Sequence, residues 1–488
     1  MNKLYTTEQI FASEKSFFDK GHSQIELMLN AAHASADWLL NNFPKKKFLF
    51  LIGPGNNGAD GLYTANILQN NGLEALVLDV FPRKLKSDLN SEAWKKLTLK
   101  KIKSMDKISK NTVIIDSIFG IGGKARANKK LQRIIEAANT FNHRVAIDSP
   151  TGIDLTHGRQ ALTVNFEAQI TLTFLGLKQG FYLCSHNILN TGKIILLDLN
   201  KTVLKTTKSN STLFGFDDIG KILPERKQDT HKGNHGKLAI LAGDEGMGGA
   251  GILTAMSALM SGAGVIKLLT RKAHIAPALA QIPEVMVIGG DNAQDLELKF
   301  GWEDVLVAGP GFFKNYWSEQ NLYKVLAYSQ KSKSRLVIDA GALSMLSEKP
   351  FSKFKLNPST VLTPHPGEAA SLLKTSSENI QKNRVAAAKK LHKKFGCIIV
   401  LKGMNTVIAF KEKIFICENG SPSLATPGSG DVLTGIIGSF MAQGLTSVSA
   451  AKAGVAVHGL AGEILADEVG SIGITAQDII STIRSLIN

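Results

Sequence analysis

The feature that most constrains how this chain can fold is a unit near its start, in which an apolar strand leads through a glycine-rich loop into a helix. Residues 47–52 read as a buried strand, residues 53–61 as a loop rich in glycine and asparagine, and residues 62–68 as a helix. A second apolar run at 75–80 completes the unit. Strands and helices that alternate in this order build a parallel sheet with helices on its faces, so we predict an α/β fold.

This strand and loop pattern recurs, and the two later strands each end in an aspartate. The apolar runs at 112–116 and 144–148 end at Asp116 and Asp148, and a glycine-containing loop follows each of them. Ligands bind at the carboxyl ends of parallel strands, where such loops meet. We therefore expect Asp116 and Asp148 to lie with Asp60, from the first loop, on one rim of the sheet.

The first loop differs from the common nucleotide-binding sequences. It lacks the glycine spacing of a dinucleotide fingerprint and the lysine–serine pair of a P-loop. Its Asn56, Asn57 and Asp60 offer oxygens and amides that suit sugar hydroxyls, an amide or a hard cation. The alternative is a turn of asparagine and glycine that binds no ligand.

A polar and basic stretch without apolar periodicity, residues 198–212, precedes a second set of strands. We interpret it as a linker and place the domain boundary near residue 210. A glycine-rich loop at 246–251 leads into a helix of small residues, which indicates close approach either to another element or to a flat ligand. The later strands and turns deliver groups that could bind a nucleotide and a second substrate: Gly311, Asp339, His365, Lys402, Gly430 and Asp431.

The last of these motifs, residues 426–435, is a glycine-rich turn that runs into an apolar-periodic helix. Pro427 and two glycines prevent regular structure, so we predict that the helix begins near Gly430. Free backbone N–H groups at such a helix start bind phosphate oxygens, and Asp431 beside them could act as the base when phosphate is transferred to a hydroxyl. The alternative is that Asp431 only complements the positive end of the helix.

Composition narrows the class of protein. A chain of 488 residues is long enough for two or three domains. Its cysteines, Cys184, Cys397 and Cys417, are too widely spaced for a disulfide framework or a zinc site. No apolar stretch could span a bilayer and no apolar signal core is visible, so we expect a cytoplasmic protein. We interpret the net charge of +16 as solvated surface charge, and expect neither a nucleic-acid nor a membrane partner.

The three glycine loops of the first part resemble the N-terminal epimerase domain of the bacterial bifunctional NAD(P)H-hydrate repair enzymes. The resemblance implies a Rossmann-like three-layer αβα domain over residues 1–210, with Asp148 as the acid–base group. It also implies one potassium ion per epimerase domain, held by Asn57, Asp116 and Thr151. The implied substrate contacts are Asn56, Asn57, Gly58, Ala59, Asp60, Gly120, Ile121, Gly122, Gly123, Lys124, Ala125, Arg126 and Asp148. The chain departs from the family pattern at Ala59 for glycine, Leu29 for glutamate and Thr151 for serine.

The later motifs T-P-H-P-G-E, K-G-x-x-T and T-P-G-S-G-D-V-L-x-G, in this order, resemble the ADP- or ATP-dependent NAD(P)H-hydrate dehydratases. The resemblance implies a ribokinase-like α/β domain over residues 211–488. It implies that the hydrated nucleotide is contacted by Ala250, Gly311, His365 and Asp431, and that the adenine nucleotide is contacted by Lys402, Gly403, Met404, Asn405, Thr406 and Gly430. Gly341 stands where the family more often has a second aspartate.

These resemblances together imply a metabolite repair enzyme. Hydration of the nicotinamide ring leaves a hydroxyl beside the ring nitrogen, and phosphorylation would turn this hydroxyl into a good leaving group. ADP would be the phosphate donor, Mg²⁺ would shield its charge, and elimination would restore NADH or NADPH. The dehydratase accepts one epimer, so an epimerase in the same chain lets both be repaired. A homo-oligomer is also expected.

Other functions remain open from the sequence. The second part could be a kinase of a vitamin precursor, such as a pyrimidine or thiazole alcohol, because ribokinase-like proteins share the phosphate turn. The first part could be a non-catalytic nucleotide- or RNA-associated binding module. It is also possible that only the second part is active.

Overall fold

The computed structural model describes residues 1–122, 129–183, 191–199, 202–205, 207–297 and 299–488. The chain forms two compact units, Asn2–Asn210 and Ser211–Asn488, with Met1 grouped with the second. Each unit contains parallel strands and helices, so the predicted α/β class is confirmed. In the described part of the chain, no helix has both the length and the apolar character needed to cross a membrane.

The first unit is built on a sheet of seven parallel strands in the order β11-β9-β6-β5-β2-β3-β4. The strands of this unit are β1 (Asn2–Tyr5), β2 (Phe48–Ile52), β3 (Ala75–Asp79), β4 (Lys100–Lys101), β5 (Val113–Ser117), β6 (His143–Ile147), β7 (Ile153–Asp154), β8 (Arg159–Gln160), β9 (Ile170–Phe174), β10 (Leu177–Lys178) and β11 (Lys193–Leu197). Its described helices are α1 (Thr7–Phe18), α2 (Gln24–Asn42), α3 (Asn56–Asn70), α4 (Asp88–Lys96) and α5 (Lys129–Asn139).

The central strand β2 shows why this sheet lies between two layers. Successive side chains of a strand point to opposite faces, and every residue of β2 is buried. Phe48 and Phe50 belong to one apolar cluster, with residues of α2 and α3. Leu49 and Leu51 belong to another cluster, with residues of α5. Helices therefore cover both faces, as the uninterrupted apolar run predicts.

The start of α3 differs from the sequence prediction. The helix begins at Asn56, whereas apolar spacing indicated a loop up to residue 61. Asparagine and glycine favour turns, but packing overrides that preference here. A Cβ at Gly58 would lie 2.2 Å from the backbone oxygen of Gly53, and one at Gly61 would lie 2.1 Å from Oγ of Ser117. The glycines thus let the first turns of the helix press against the loop after β2 and the end of β5.

The second unit contains a sheet of ten strands in the order β12-β21-β20-β19-β18-β17-β16-β13-β14-β15. All neighbours are parallel except at β20, which is antiparallel to β19 and β21. The strands are β12 (Ser211–Phe214), β13 (Lys237–Leu241), β14 (Val265–Thr270), β15 (Met286–Gly289), β16 (Val305–Ala308), β17 (Arg335–Ile338), β18 (Val361–Leu362), β19 (Ile398–Leu401), β20 (Val407–Phe410) and β21 (Lys413–Cys417).

The helices of the second unit are α6 (Gly248–Met260), α7 (Ile275–Gln281), α8 (Ala293–Glu297), α9 (Tyr316–Ser332), α10 (Ala340–Met345), α11 (Pro366–Leu373), α12 (Ser377–Lys382), α13 (Arg384–Phe395), α14 (Ser429–Ala442), α15 (Ser447–Val469) and α16 (Ala476–Leu486). The small residues of α6 serve close packing against α14. A Cβ at Gly435 would lie 2.0 Å from Oγ of Ser257. Helix α14 begins at Ser429, one residue from the predicted start.

Candidate functional sites

Parallel strands of the second unit bring a group of charged side chains to one rim. Asp339 follows β17, Lys402 follows β19, and Asp431 lies in the first turn of α14. Nζ of Lys402 lies 2.8 Å from Oδ1 of Asp339. Oγ1 of Thr434, also on α14, donates a hydrogen bond of 2.7 Å to Oδ2 of Asp339. Asp339 therefore joins the lysine to the helix that begins at the glycine turn.

Two glycines shape the turn that leads into α14. Gly428 has a φ of +82°, a conformation that suits glycine. A Cβ at Gly430 would lie 3.2 Å from Nζ of Lys402. The first backbone N–H groups of α14 and the Lys402 ammonium thus lie side by side. Groups of these two kinds can bind an anion, which is the role that the sequence predicts for this turn.

Three carboxyl groups surround the single ammonium of Lys402. Burial, reinforced by Asp339 and partly opposed by Lys402, raises the pKa of Asp431 to about 7. Burial also raises the pKa of Glu368 to about 7. Burial disfavours the charged form of Lys402, but Asp339, Glu368 and Asp431 outweigh this effect and raise the pKa of the lysine. Near neutral pH, Asp431 is therefore partly ionised and can accept a proton, which suits a general base.

His365 and Glu368 are fixed by a capping box at the start of α11. Nδ1 of His365 accepts the backbone N–H of Gly367 at 2.9 Å, and Oε2 of Glu368 accepts the backbone N–H of His365 at 2.8 Å. The Glu368 side chain is nearly buried, whereas more than half of the His365 side chain is exposed. Burial and Lys402 lower the pKa of His365. A neutral imidazole therefore faces solvent beside the cluster.

The other predicted contacts of this unit lie in two parts of the fold. A Cβ at Gly311 would lie 3.1 Å from Cβ of Ala250, so the loop after β16 touches the start of α6. Gly403, Met404, Asn405 and Thr406 form the turn between β19 and β20. The sequence analysis missed the buried Arg384, which donates to the backbone oxygens of Leu401 and Met404 and so supports this turn.

The structure also explains the glycine at position 341. A Cβ built there would lie 2.0 Å from the backbone oxygen of Phe312. A second aspartate at this position would need a shift of the backbone. Asp339 is therefore the carboxylate that this strand end contributes.

The first unit contains a cavity of about 490 Å³ at the carboxyl ends of its strands. Of the predicted substrate contacts, seven line it: Asn56, Asn57, Asp60, Gly120, Ile121, Gly122 and Asp148. Gly58 and Ala59 lie on the buried side of α3 and do not line the cavity. The predicted contacts Gly123, Lys124, Ala125 and Arg126 lie outside the described residues.

The departures from the family pattern leave this cavity intact. Ala59 is fully buried inside a helix and has no positive φ, so its Cβ causes no backbone strain. Leu29 does not line the cavity, although its neighbours Leu27 and Met28 do. Thr151 keeps the hydroxyl that serine would supply. Ala59 and Thr151 therefore neither strain the backbone nor remove a hydroxyl beside the cavity.

Asp116 organises the floor of this region. Its carboxylate accepts the backbone N–H of Thr151 at 2.6 Å, Oγ1 of Thr151 at 2.8 Å and the backbone N–H of Ile118 at 3.0 Å. Burial raises its pKa to about 6, although these donors oppose the shift. Close by, Gly120 separates Asn57 from Asp148, since a Cβ there would lie 3.2 Å from Cβ of Asn57 and 2.7 Å from Oδ2 of Asp148. Oδ1 and Nδ2 of Asn57 are buried and have no hydrogen-bond partner within the described residues.

Asp148 is held by two donors on opposite oxygens. Its Oδ2 accepts the backbone N–H of Ile121 at 3.1 Å, and its Oδ1 lies 2.9 Å from Nζ of Lys178. Lys178 is buried and also donates to Oγ1 of Thr173 and the backbone oxygen of Phe174. The sequence analysis missed Lys178, whose signal is a lysine placed just after the buried strand β9. These contacts fix the position of the Asp148 carboxylate.

Comparison with known proteins gives consistent matches for both units. A family model described as NAD(P)H-hydrate dehydratase matches residues 238–485, and one described as YjeF-related protein N-terminus matches residues 24–180. The chain is 33% identical to the bifunctional NAD(P)H-hydrate repair enzyme of Coxiella burnetii, with 100% of each chain covered. It is 33% identical to the enzyme of the same description from Escherichia coli, covering 96% of this chain and 90% of that protein.

Solved structures match the second unit. The ADP/ATP-dependent NAD(P)H-hydrate dehydratase from Bacillus subtilis, co-crystallised with ATP and Mg²⁺, is 27% identical, with a TM-score of 0.51, over 57% of this chain and 98% of that chain. A ribokinase-like superfamily protein from Enterococcus faecalis is 29% identical, with a TM-score of 0.53, over 57% of this chain and 95% of that chain. The predicted ribokinase-like fold is thereby confirmed.

Proposed function

Since this chain belongs to the family of bifunctional NAD(P)H-hydrate repair enzymes, we propose that each of its units performs one of two linked reactions. The second unit dehydrates the S form of hydrated NADH or NADPH and consumes a nucleotide, with ADP as the preferred donor. The first unit interconverts the R and S forms. The observation that carries the proposal is the placement of Asp431, with its raised pKa, beside an anion site made by Lys402 and the start of α14.

In the dehydratase site, Asp431 accepts the proton of the ring hydroxyl. The oxygen of this hydroxyl attacks the terminal phosphate of the nucleotide at the same time. The N–H groups at the start of α14 and the Lys402 ammonium stabilise the negative charge on the transferred phosphoryl group. The C–O bond of the new phosphate ester then breaks and phosphate leaves, whereas hydroxide would leave poorly. The neighbouring ring carbon loses a proton, and the ring double bond is restored. Ala250, Gly311 and His365 would hold the hydrated nucleotide, and the turn from Lys402 to Thr406 would hold the donor.

Mg²⁺ fits this site as an ion held mainly by phosphates and water. In the described part of the chain, no group of three or more His, Cys, Asp or Glu side chains could hold a metal alone. Mg²⁺ often uses one or two carboxylates plus substrate phosphates, and Glu368 is a fixed carboxylate beside the anion site. When bound, the ion would neutralise charge on the phosphates. Glu368 would supply the protein ligand.

K⁺ fits the first unit through oxygen donors of several kinds. The Asn57 amide is buried without a partner within the described residues, and Asp116 and Thr151 form a buried pair close to the same loops. We assign these three residues to a K⁺ site that would hold the loops at the cavity rim. When bound, the ion would supply positive charge next to the substrate. The cavity volume of about 490 Å³ is in the usual range for a small-molecule site.

The potassium assignment predicts how variants respond to the ion. Asp116→Ala removes a buried carboxylate and is expected to raise the K⁺ concentration that gives half-maximal epimerisation by about 10-fold or more. Thr151→Ser keeps the hydroxyl that bonds Asp116 and is the matched control, for which we expect an unchanged response. The rate of epimerisation is measured while KCl replaces choline chloride at constant ionic strength. A K⁺ response that is the same in Asp116→Ala and the native chain would contradict the assignment.

The function is tested by following the return of the reduced-nicotinamide absorbance. With ADP, Mg²⁺ and a mixture of R and S hydrates, the full chain is expected to convert the S form first and then the R form. Recovery that stops at the S fraction would contradict the epimerase proposal alone. The absence of any recovery would contradict the dehydratase proposal. A stable phosphorylated product without recovery would favour the vitamin-precursor kinase.

A further inference from the structure

The cavity of the first unit contains a second carboxyl group that could exchange protons with a substrate. Glu14 reaches the cavity from α1, and Asp148 reaches it from the end of β6. The charged side chains that line the cavity are Glu14, Asp60, Lys84, Asp148 and Lys178. Three carboxyl groups in one small cavity cannot all be ionised without strong mutual repulsion. The question is which of them carries a proton.

Contacts distinguish Asp148 from the other two. Asp148 accepts hydrogen bonds from the Lys178 ammonium and the backbone N–H of Ile121, and both favour the ionised carboxylate. Among the described residues, none forms a hydrogen bond or ion pair with the carboxyl group of Glu14. Burial and the charge of Asp148 raise the pKa of Glu14 to about 7, although Lys178 opposes this shift. The cavity thus pairs a carboxylate that is hydrogen-bonded to an ammonium with a carboxyl group that keeps part of its proton near neutral pH, and different surroundings of this kind prepare a base and an acid.

Asp60 is a weaker candidate for the acid. It lines the same cavity from α3 and is partly exposed, and burial together with the charges of Asp148 and Glu14 raises its pKa well above the ordinary value. A carboxyl group whose pKa is raised this far gives up its proton less readily than Glu14, whose pKa of about 7 lets it change protonation state near neutral pH. Glu14 is partly exposed, so it can regain a proton from water that enters the cavity.

We propose that Glu14 is the general acid of the epimerisation and works opposite Asp148, an assignment that rests on the proposed epimerase function of this unit. Glu14 donates its proton to the ring hydroxyl. The C–O bond then breaks, and water leaves with the bonding electron pair. The lone pair of the ring nitrogen forms a C=N⁺ bond. Water then adds to the other face of the same carbon and gives a proton to Asp148. One proton has moved from Glu14 to Asp148. Exchange with solvent then returns a proton to Glu14 and removes one from Asp148.

The test uses the full chain without ADP, so that only epimerisation can occur. Glu14→Gln cannot donate a proton and is expected to lower the epimerisation rate by about 100-fold or more, with little change in KM. Glu14→Asp should recover part of the rate. Glu26→Gln, an exposed carboxylate on α2, is the matched control and should leave the rate unchanged. Dehydration of the S form after ADP is added verifies that each variant is intact in its second unit.

Two further readouts separate an acid from a residue that only supports the fold. The native rate should fall as pH rises through about 7, because Glu14 loses its proton, and this fall should be absent in Glu14→Gln. In H₂¹⁸O, the native chain should exchange the oxygen of the ring hydroxyl at the rate of epimerisation. Glu14→Gln should not show this exchange. A Glu14→Gln rate within threefold of the native rate, with the same pH profile, would overturn the proposal. A native chain that does not epimerise would instead overturn the function assigned to this unit.

Discussion

Replacing Asp431 with asparagine is expected to lower the rate of dehydration by about 10³-fold while epimerisation stays unchanged. The asparagine has nearly the same shape but cannot accept the proton of the ring hydroxyl. The reaction is measured by the return of reduced-nicotinamide absorbance with pure S hydrate, ADP and Mg²⁺. Asp467→Asn, an exposed carboxylate on α15, is the matched control and should retain the native rate.

The same change is expected to leave the stability of the protein equal or slightly higher. Asp431 is partly buried near Asp339, and burial disfavours its charge, so the asparagine removes an unfavourable interaction. Residues that serve catalysis often reduce stability in this way. Near-native dehydration by Asp431→Asn would remove Asp431 from the mechanism. A large loss of stability would mean instead that its role is structural.

The sequence predicted the α/β class because the central strands of the two sheets carry their own local signals. Residues buried on both faces, such as Phe48 to Ile52, appear as uninterrupted apolar runs, and the groups that follow them necessarily meet on one rim. The glycine turn at residues 426–435 also carries a local signal, because the positive φ of Gly428 is a backbone conformation that suits glycine. These features depend on neighbouring residues in the chain.

Other parts of the sites depend on contacts between distant residues. Lys178 pairs with Asp148 across 30 positions, and no spacing rule connects them. Glu14 precedes the whole sheet, and on sequence alone it is an ordinary polar residue of an amphipathic helix. The start of α3 was predicted too late because asparagine and glycine are poor helix formers, whereas the contacts of Gly58 and Gly61 with adjacent loops are tertiary. Tertiary packing therefore decided each feature that the sequence did not reveal.

The ion pair of Lys402 and Asp339 links the stability of the second unit to its chemistry. Asp339 is buried and accepts from only two described side chains, Lys402 and Thr434. Lys402→Met would leave this carboxylate buried without its cation, and breaking such a pair costs about 3–5 kcal/mol. We expect a lower unfolding temperature for the second unit in the full chain. Adding Asp339→Asn to Lys402→Met removes the unpaired charge and should restore most of the stability.

Activity should not follow stability in this series. Lys402→Met removes the cation that lowers the pKa of Asp431, so that pKa should rise further above about 7. Because Asp431 must be ionised to act as a base, the pH at which dehydration reaches half of its maximum should move upward. The anion site also loses its ammonium, so the maximal rate should fall by about 100-fold or more, and the double variant should remain slow. A double variant that regains both stability and rate would show that Lys402 only supports the fold. A single variant as stable and as active as the native chain would contradict the coupling itself.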